Sequence, residues 1–317
     1  TTGEVIAYDT LVLATGSYPF VPPLPGKERG LVYRTIEDLE AMTAQGSGDP
    51  TSNIGVVVGG GLLGLECAKA LHDMGLQTHV VEFAPRLMAV QVDDGGGRIL
   101  RKKIEALGVT VHTHKNTLEI VDGDTCKHKM VFADGTHLET DMIVFSAGIR
   151  PRDELGRSSG LDMGERGGIK VDNACRTSDE HIYAIGECAL WQGKIFGLVA
   201  PGYEMARVAA AHILTSGELH FTGADMSTKL KLMGVDVASI GDAQGSTPNS
   251  ISFTYVNERK EIYKRLVTCG EGKKVLGAVL IGDAEDYGTL LQMMLNNIPV
   301  SGDAEALILP STGPKVG

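Results

Sequence analysis

The chain has 317 residues, enough for two or three domains, and 43% hydrophobic against 22% charged residues is the balance of an ordinary globular protein. A net charge of −11, few aromatics and no basic block exclude a nucleic-acid footprint. No apolar run reaches the roughly 18 residues of a spanning helix and no signal peptide is visible, so the expectation is a cytoplasmic protein with no membrane partner. Five scattered cysteines, none in a C-x-x-C pair, read as reduced thiols rather than a redox pair or a metal site.

The chain opens on TTGE without an initiator methionine and runs at once into a strand pattern, the expectation for a piece of a longer polypeptide. Residues 5–14 read as one strand delivering Thr15, Gly16 and Ser17. Pro19, Pro22, Pro23, Pro25 and Gly26 then make a stiff connector, 36–44 a helix and 45–53 a small, polar surface link. The apolar run 54–58 is short, β-branched and continuous, as a parallel strand buried on both faces requires. It enters G-x-G-x-x-G at Gly59, Gly61 and Gly64. A helix follows with Leu62, Leu63, Cys67, Ala70 and Leu71 at helical spacing and Gly75 as its stop, and then a second strand ending on Glu82.

That order is the pattern of a dinucleotide site. Gly59 permits the tight turn, Gly61 lets backbone approach a pyrophosphate, and Gly64 lets the helix lie close on the sheet. The helix N-terminus offers free N–H groups and a positive dipole end to the phosphates. Glu82 is placed to accept from the adenosine ribose hydroxyls and to repel a 2′-phosphate, which reads as NAD (NADH) rather than NADPH.

Further on, a helix with its core over 99–107 stops at Gly108, and 109–112 is a strand. Residues 130–132 and 136–138 form a hairpin around Asp134 and Gly135. The buried strand 141–145 delivers SAGIRP at 146–151 and closes a nucleotide domain. Residues 11–16 and 143–148 echo each other, both apolar strands ending in a small residue and glycine. Two nucleotide-binding sheets, one inserted in the other, give such an echo, and so does chance. Residues 168–172 and 182–185 are strands, the second ending on Gly186 and Glu187. Pro201 and Gly202 open a helix over 203–214 closed by Gly217, with free N–H groups suited to an anion or a flavin carbonyl. From 218 the pattern changes to four strands, at 229–240, 250–255, 262–268 and 275–281, and a helix at 286–297 with Leu290, Leu291, Met294 and Leu295 on one face. Met233, Met293 and Met294 read as core or as the lining of a cofactor site. His72, His79, His112 and His114 read as surface or strand-face residues rather than catalysts.

The run of ATGS at 14–17, GGGLLGLE at 59–66, VVEFAP at 80–85, SAGIRP at 146–151 and IYAIGE at 182–187 resembles the FAD- and NAD-linked pyridine nucleotide oxidoreductases. Within them, YRTIEDL at 33–39, HTHKNTLEIV at 112–121, GLVAPGYEMARVA at 197–209 and KLKLMGVDVASIGDA at 229–243 resemble the large subunits of assimilatory NADH-dependent nitrite reductases, over nearly the whole chain. The resemblance implies that Thr15 and Gly16 lie near FAD, and that Gly186 and Glu187 form the second FAD motif, with the acid on a ribityl hydroxyl. It implies that Gly59, Gly61, Leu62, Leu63 and Gly64 hold NADH and that Gly148 and Ile149 touch it. Glu66 matches the family glutamate beside the nicotinamide; on the sequence alone it is equally an acid favouring a helix N-terminus. Family members begin with a further G-x-G-x-x-G for the FAD pyrophosphate, absent here, and the nitrite reductases continue into an iron–sulfur and sirohaem region.

The fold expected is α/β: a Rossmann-like NAD domain (51–150) inserted in a partial FAD-binding domain (1–50 and 151–217), followed by a smaller α+β interface domain (218–317). The function expected is that of an NADH-oxidising flavoprotein module of nitrite reductase, passing hydride from NADH to FAD. Electrons then go to iron–sulfur and sirohaem centres in the missing part. The partners expected are NADH, FAD and the remaining domains or small subunit, with a homodimer left open and no protein-held metal. Two alternatives stay open: a stand-alone rubredoxin- or ferredoxin-type reductase, and a non-catalytic nucleotide-binding module.

Overall fold

The structure is a computed structural model and describes residues 3–47, 53–215 and 219–310. In chain order the elements are β1 (Leu11–Leu13), β2 (Ser17–Pro19), β3 (Leu31–Val32), α1 (Ile36–Ser47), β4 (Ile54–Val58), α2 (Leu62–Asp73), β5 (Gln77–Val81), α3 (Asp94–Ala106), β6 (Thr110–His112), β7 (Thr117–Asp122), β8 (His128–Phe132), β9 (His137–Thr140), β10 (Met142–Phe145), β11 (Ile149–Pro151) and α4 (Glu154–Ser158). They continue with β12 (Ile169–Val171), β13 (Ile182–Ala184), β14 (Ala189–Trp191), α5 (Val199–Thr215), β15 (Thr228–Leu232), β16 (Val235–Gly241), β17 (Ile251–Asn257), β18 (Ile262–Thr268), β19 (Val275–Ile281) and α6 (Tyr287–Leu295). Two compact units result: Thr1–Phe20 with Ile149–Met226, and Val21–Gly148 with Ser227–Gly317. No helix of the described residues is long and apolar enough to cross a membrane.

The larger unit is built on a five-stranded sheet in the order β3-β10-β4-β5-β6, parallel throughout. Its strands are buried on both faces, which is why 54–58 and 142–145 are continuous apolar runs rather than alternating ones. One face carries Val57, Val80, Val111 and Val144 against Leu65 and Leu71 of α2 and Ile99, Leu100 and Ile104 of α3. The other face, with Val56, Val58, Val81, Ile143 and Phe145, is covered by Ile120, Met130 and Phe132 of the antiparallel sheet β7-β8-β9.

The helical layer is shared with a second sheet. The antiparallel sheet β15-β16-β19-β18-β17 turns Val237, Tyr263, Val279 and Ile281 onto the same core as α2 and α3. Its alternate residues, Ala238, Ile240, Leu266 and Leu280, face a separate core with Leu290 and Met293 of α6, the period-two division of a sheet buried on both sides. Two glycines at the start of α3 allow the approach: a Cβ on Gly95 would lie 2.4 Å from the Tyr263 ring and one on Gly96 3.1 Å from Val279. Asp93 ties the contact down. Its carboxylate caps α3 by accepting from the Gly96 amide at 3.1 Å, and also accepts from the Tyr263 hydroxyl and from Arg265 at 3.0 Å.

The smaller unit pairs β1 with β13 and β12 with β14, both in parallel, and β2 with β11 antiparallel. Its core gathers Ile169, Ile182, Ala184, Met205 and Val208 around an aromatic cluster. There Phe221 stands edge-on to Trp191 (5.0 Å between ring centres) and Phe196 (5.6 Å).

Several expected elements differ. The strand expected over 5–14 is confined to Leu11–Leu13, because β1 finds a partner only in β13, and Val5 and Ile6 are exposed. The single strand expected over 229–240 is the hairpin β15–β16, broken where Met233 (φ 49°) and Gly234 (φ 87°) both adopt the left-handed region. α5 begins at Val199, so Pro201 lies inside its first turn, where a missing N–H costs nothing. Leu295, expected on the buried face of α6, is exposed, and Met293 is buried in its place. The polar link at 48–52 and the helix stop at Gly217 fall outside the described residues.

Replacing Asp93 with Ala removes a helix cap and leaves Arg265 without its carboxylate, and is expected to cost about 2–3 kcal/mol. Urea unfolding of the full chain measures it. Asp93→Asn keeps the cap acceptor and should fall between the two; an alanine variant as stable as the parent would show that the two sheets do not lean on this residue.

Candidate functional site

β4 is the strand at which the connection order reverses, with β5 and β6 to one side and β10 to the other. In open α/β sheets ligands bind outside the carboxyl ends of the strands at such a point. Three of the segments singled out in the sequence converge there: the glycine turn after β4, Glu82 after β5, and Ser146, Ala147 and Gly148 after β10.

Gly59 sits at φ +120°, and a Cβ there would lie 2.3 Å from the Ser146 carbonyl oxygen. A Cβ on Gly64 would lie 1.9 Å from the Gly59 carbonyl oxygen, so the first turn of α2 rests on the turn itself. Gly61 is the opposite case, since a Cβ would meet nothing within 4 Å. It is the N-cap of α2, no side chain caps the helix and no acid occupies its first turn, which leaves the terminal N–H groups facing open space. Leu62 is half-buried against the core and Leu63 is exposed.

Glu82 is held by backbone. One carboxylate oxygen accepts from the Gly60 amide at 2.5 Å and the other from the Ala84 amide at 2.7 Å. Its own amide donates to the His112 carbonyl at 2.8 Å. Glu66 is half-buried on α2, and its charge, after burial, helps push the Tyr33 phenol above its ordinary range. Gly148 lies at φ +104° with an open Cβ direction, and Ile149 begins β11.

In the smaller unit Thr15 donates its hydroxyl to the Arg152 carbonyl, while the Arg152 amide donates to the Gly16 carbonyl at 2.9 Å. Gly16 (φ +70°) and Gly186 (φ +71°) both leave the Cβ direction empty. Glu187 accepts from Ser17 at 2.7 Å, across 170 residues of sequence. Gly202 of α5 comes so close to Gly186 that a Cβ would sit 3.4 Å from its Cα. The sequence reading missed Ser17 and Arg152 as members of this cluster; the only signal was their adjacency to the two echoing glycines, Gly16 and Gly148.

His79 and His112, expected on a surface or a strand face, stack within the larger unit. Their rings are 5.3 Å apart and nearly parallel, with His79 Nδ1 3.0 Å from His112 Nε2. His79 is buried, and its Nε2 has no partner among the described residues. His72 and His114 are exposed.

A family model described as Pyridine nucleotide-disulphide oxidoreductase matches residues 1–212. The chain belongs to that family. Membership carries binding of FAD and of NAD(P)H, and places the chain among oxidoreductases. A second model, Rubredoxin NAD+ reductase C-terminal domain, matches residues 227–298, which contain the whole second antiparallel sheet and α6. The chain is 57% identical over 312 residues to the Nitrite reductase (NADH) large subunit of Escherichia coli (strain K12), covering 98% of this chain and 36% of that protein. It is 58% identical over 312 residues to the Nitrite reductase [NAD(P)H] large subunit of Klebsiella oxytoca, covering 98% of this chain and 32% of that one. The chain therefore spans about a third of the length of these relatives. Among solved structures, an NAD-dependent persulfide reductase from A. fulgidus superimposes with a TM-score of 0.77 at 28% identity, covering 94% of this chain and 60% of that one.

The family's nucleotide fits the larger unit, since Gly61 supplies room and α2 supplies uncapped N–H groups. In the smaller unit, open glycines flank a carboxylate that is already oriented.

The histidine pair has a consequence for stability. Burial, then the neighbouring His112, holds His79 below its ordinary range; burial, then Lys115 and Arg101, does the same for His112. Unfolded histidines titrate near about 6.5, so below that pH the unfolded chain binds more protons than the folded one, and stability falls as pH falls. A His79→Gln/His112→Gln variant should lose up to about 1.4 kcal/mol per pH unit of this slope for each histidine, with His128 left in place. Thermal melts between about pH 7 and pH 5 read it; an unchanged slope would show that the pair is not the proton sink.

Proposed function

We propose that this chain is the NADH-oxidising flavoprotein module of a nitrite reductase, and that electrons leave it for iron–sulfur and sirohaem centres in parts of the enzyme outside these residues. The observation that carries the reading is 57% identity along 98% of the chain to a nitrite reductase large subunit. Several features of the geometry support it. Gly59, Gly61 and Gly64 shape a turn whose helix N–H groups suit a pyrophosphate, with Leu62 and Leu63 beside it. Glu82 is the ribose acceptor, and Gly148 and Ile149 border the same strand ends. Thr15, Gly16, Gly186 and Glu187 form the flavin half-site, in which Ser17 fixes the Glu187 carboxylate.

When bound, NADH supplies a hydride and FAD accepts it and releases electrons singly. The chain's part is to bind, orient and exclude water. α2 offers its dipole end to the phosphates, and Glu66, half-buried one helical turn in, is the acid assigned to the nicotinamide end by the resemblance. On the resemblance read from the sequence, FAD chemistry belongs to residues 1–50 and 151–217, NAD chemistry to 51–150, and an interface role to 218–317. We assign those boundaries to this chain on that ground, together with the remaining domains or small subunit as its partners and the cytoplasm as its location. A second reading, a reductase for rubredoxin or a similar carrier, is favoured by the match of residues 227–298 to the rubredoxin reductase C-terminal domain.

Two variants test the nucleotide half. Gly61→Ala adds a methyl where nothing lies within 4 Å, so the melting temperature should hold while NADH affinity drops by at least about tenfold. Glu82→Gln removes the charge that opposes a 2′-phosphate, and should raise the preference for NADPH over NADH by about tenfold. NADH binding untouched by Gly61→Ala would remove the turn from the site.

The flavin half is tested by an anaerobic absorption spectrum of the full chain loaded with FAD. The expected result is a yellow protein that bleaches on adding NADH, with electrons recoverable on an iron–sulfur or sirohaem acceptor in preference to rubredoxin. Bound flavin that stays yellow while NADH binds would leave only a nucleotide-binding module.

A further inference from the structure

The smaller unit holds a cavity of about 600 Å³ that uses none of the residues assigned above to the flavin half-site and shares only Ile149 with those assigned to NADH. The size is that of a small-molecule pocket. Three cations from three different elements line it: Arg150 from β11, Arg166 from the loop before β12, and Lys170 from β12. We propose that this cavity is a binding site for a small organic anion, with a phosphate or carboxylate head on the three cations and an apolar body behind it.

The cations are available. Neither the Arg166 guanidinium nor the Lys170 ammonium has an ion pair or hydrogen bond among the described residues. The Arg150 guanidinium carbon lies 3.9 Å from the centre of the Phe20 ring, and one of its N–H groups donates to the Ile149 carbonyl at 3.1 Å. That contact holds the guanidinium in place, and its further N–H donors suit a phosphate or carboxylate. One acid, Glu165, also lines the cavity, so the wall carries a net two positive charges.

The wall is built rather than loose. Glu165 and Arg166 sit at the tip of a tight turn closed by Gly167 donating to the Gly164 carbonyl (3.1 Å) and Gly164 to the Gly168 carbonyl (2.8 Å). The buried Asp153 carboxylate accepts from the Gly168 amide at 2.6 Å and clamps the turn to the start of α4. Lys170 alternates with the fully buried Ile169, which anchors β12 in the core and sends the lysine to the opposite side. Ile149, Pro151, Leu190 and Ile195 supply an apolar surface beside the charges, which a bare inorganic ion would not use.

Calorimetric titration of the full chain with phenyl phosphate, benzoate and benzyl alcohol tests the proposal, in the presence of excess NAD so that the glycine turn is occupied. Phenyl phosphate or benzoate is expected to bind, and whichever binds more tightly names the head group. Benzyl alcohol, with the same ring and no charge, is expected not to. An Arg166→Ala/Lys170→Ala variant, changed only at exposed positions, should bind the anion at least about tenfold more weakly with an unchanged melting temperature. Equal affinity in the variant, equal affinity for benzyl alcohol, or no anion binding up to about 1 mM would each overturn it.

Discussion

The contact on which the larger unit depends is between two glycines. The Gly59 carbonyl oxygen occupies the place where a side chain on Gly64 would begin. This lets α2 start almost on top of the strand that precedes it, so its free N–H groups emerge at the sheet's carboxyl edge instead of being buried against it. Gly59 makes a second approach on its other side, to the Ser146 carbonyl, and so links the end of β4 to the end of β10. A side chain at either position would separate the strand ends from the helix, and Glu82 and Gly148 would no longer face the same space. Glycine in a helix or a strained turn costs roughly 1 kcal/mol. Here that cost is offset by the core that forms beneath, where Val57, Leu65 and Leu71 are fully buried.

The same device appears at α3, with a different result. Gly95, Gly96 and Gly97 weaken the start of the helix but admit Tyr263, Val279 and Arg86 to within van der Waals contact of the backbone. The helices therefore serve two sheets at once, and the C-terminal sheet shares a core with the parallel one. Burial on both faces of α3 supplies the stability that its composition does not. Asp93, bonded to the Tyr263 hydroxyl and the Arg265 guanidinium, then fixes the register of one sheet against the other, which hydrophobic contact alone leaves free.

The features that were legible in the sequence are those set by short-range rules. The strand at 54–58, the glycine turn, α2 with its stop at Gly75 and the Asp134–Gly135 hairpin each depend on residues a few positions apart. What the sequence concealed depends on distant partners. Met233 and Gly234 turn back inside an apolar run, and Met is not a residue that announces a left-handed conformation. β7 alternates weakly and becomes a strand through its ladder to β8. His79 and His112 lie 33 residues apart and meet only because β5 and β6 are neighbours. Ser17 and Glu187 meet because β1 and β13 pair and bring their following turns together.

Glu82 shows how far the site is prepared before any ligand arrives. Its two oxygens are already bonded to backbone amides, so binding need not spend side-chain entropy to orient it. The amides also stabilise its charge without supplying a cation to cancel it. The nearest candidate for that cation in the sequence, Arg86, is committed elsewhere: it bonds Asp94 at 2.7 Å and the Val92 carbonyl at 2.9 Å. Enzymes that accept a 2′-phosphate place a free arginine in this neighbourhood. Here the acid is fixed and the arginine is tied to the start of α3, so on the proposed reading the preference for NADH over NADPH rests on both residues. Releasing Arg86 without removing Glu82 would then be insufficient to reverse it, because the incoming phosphate would still meet an oriented carboxylate with no counter-charge of its own.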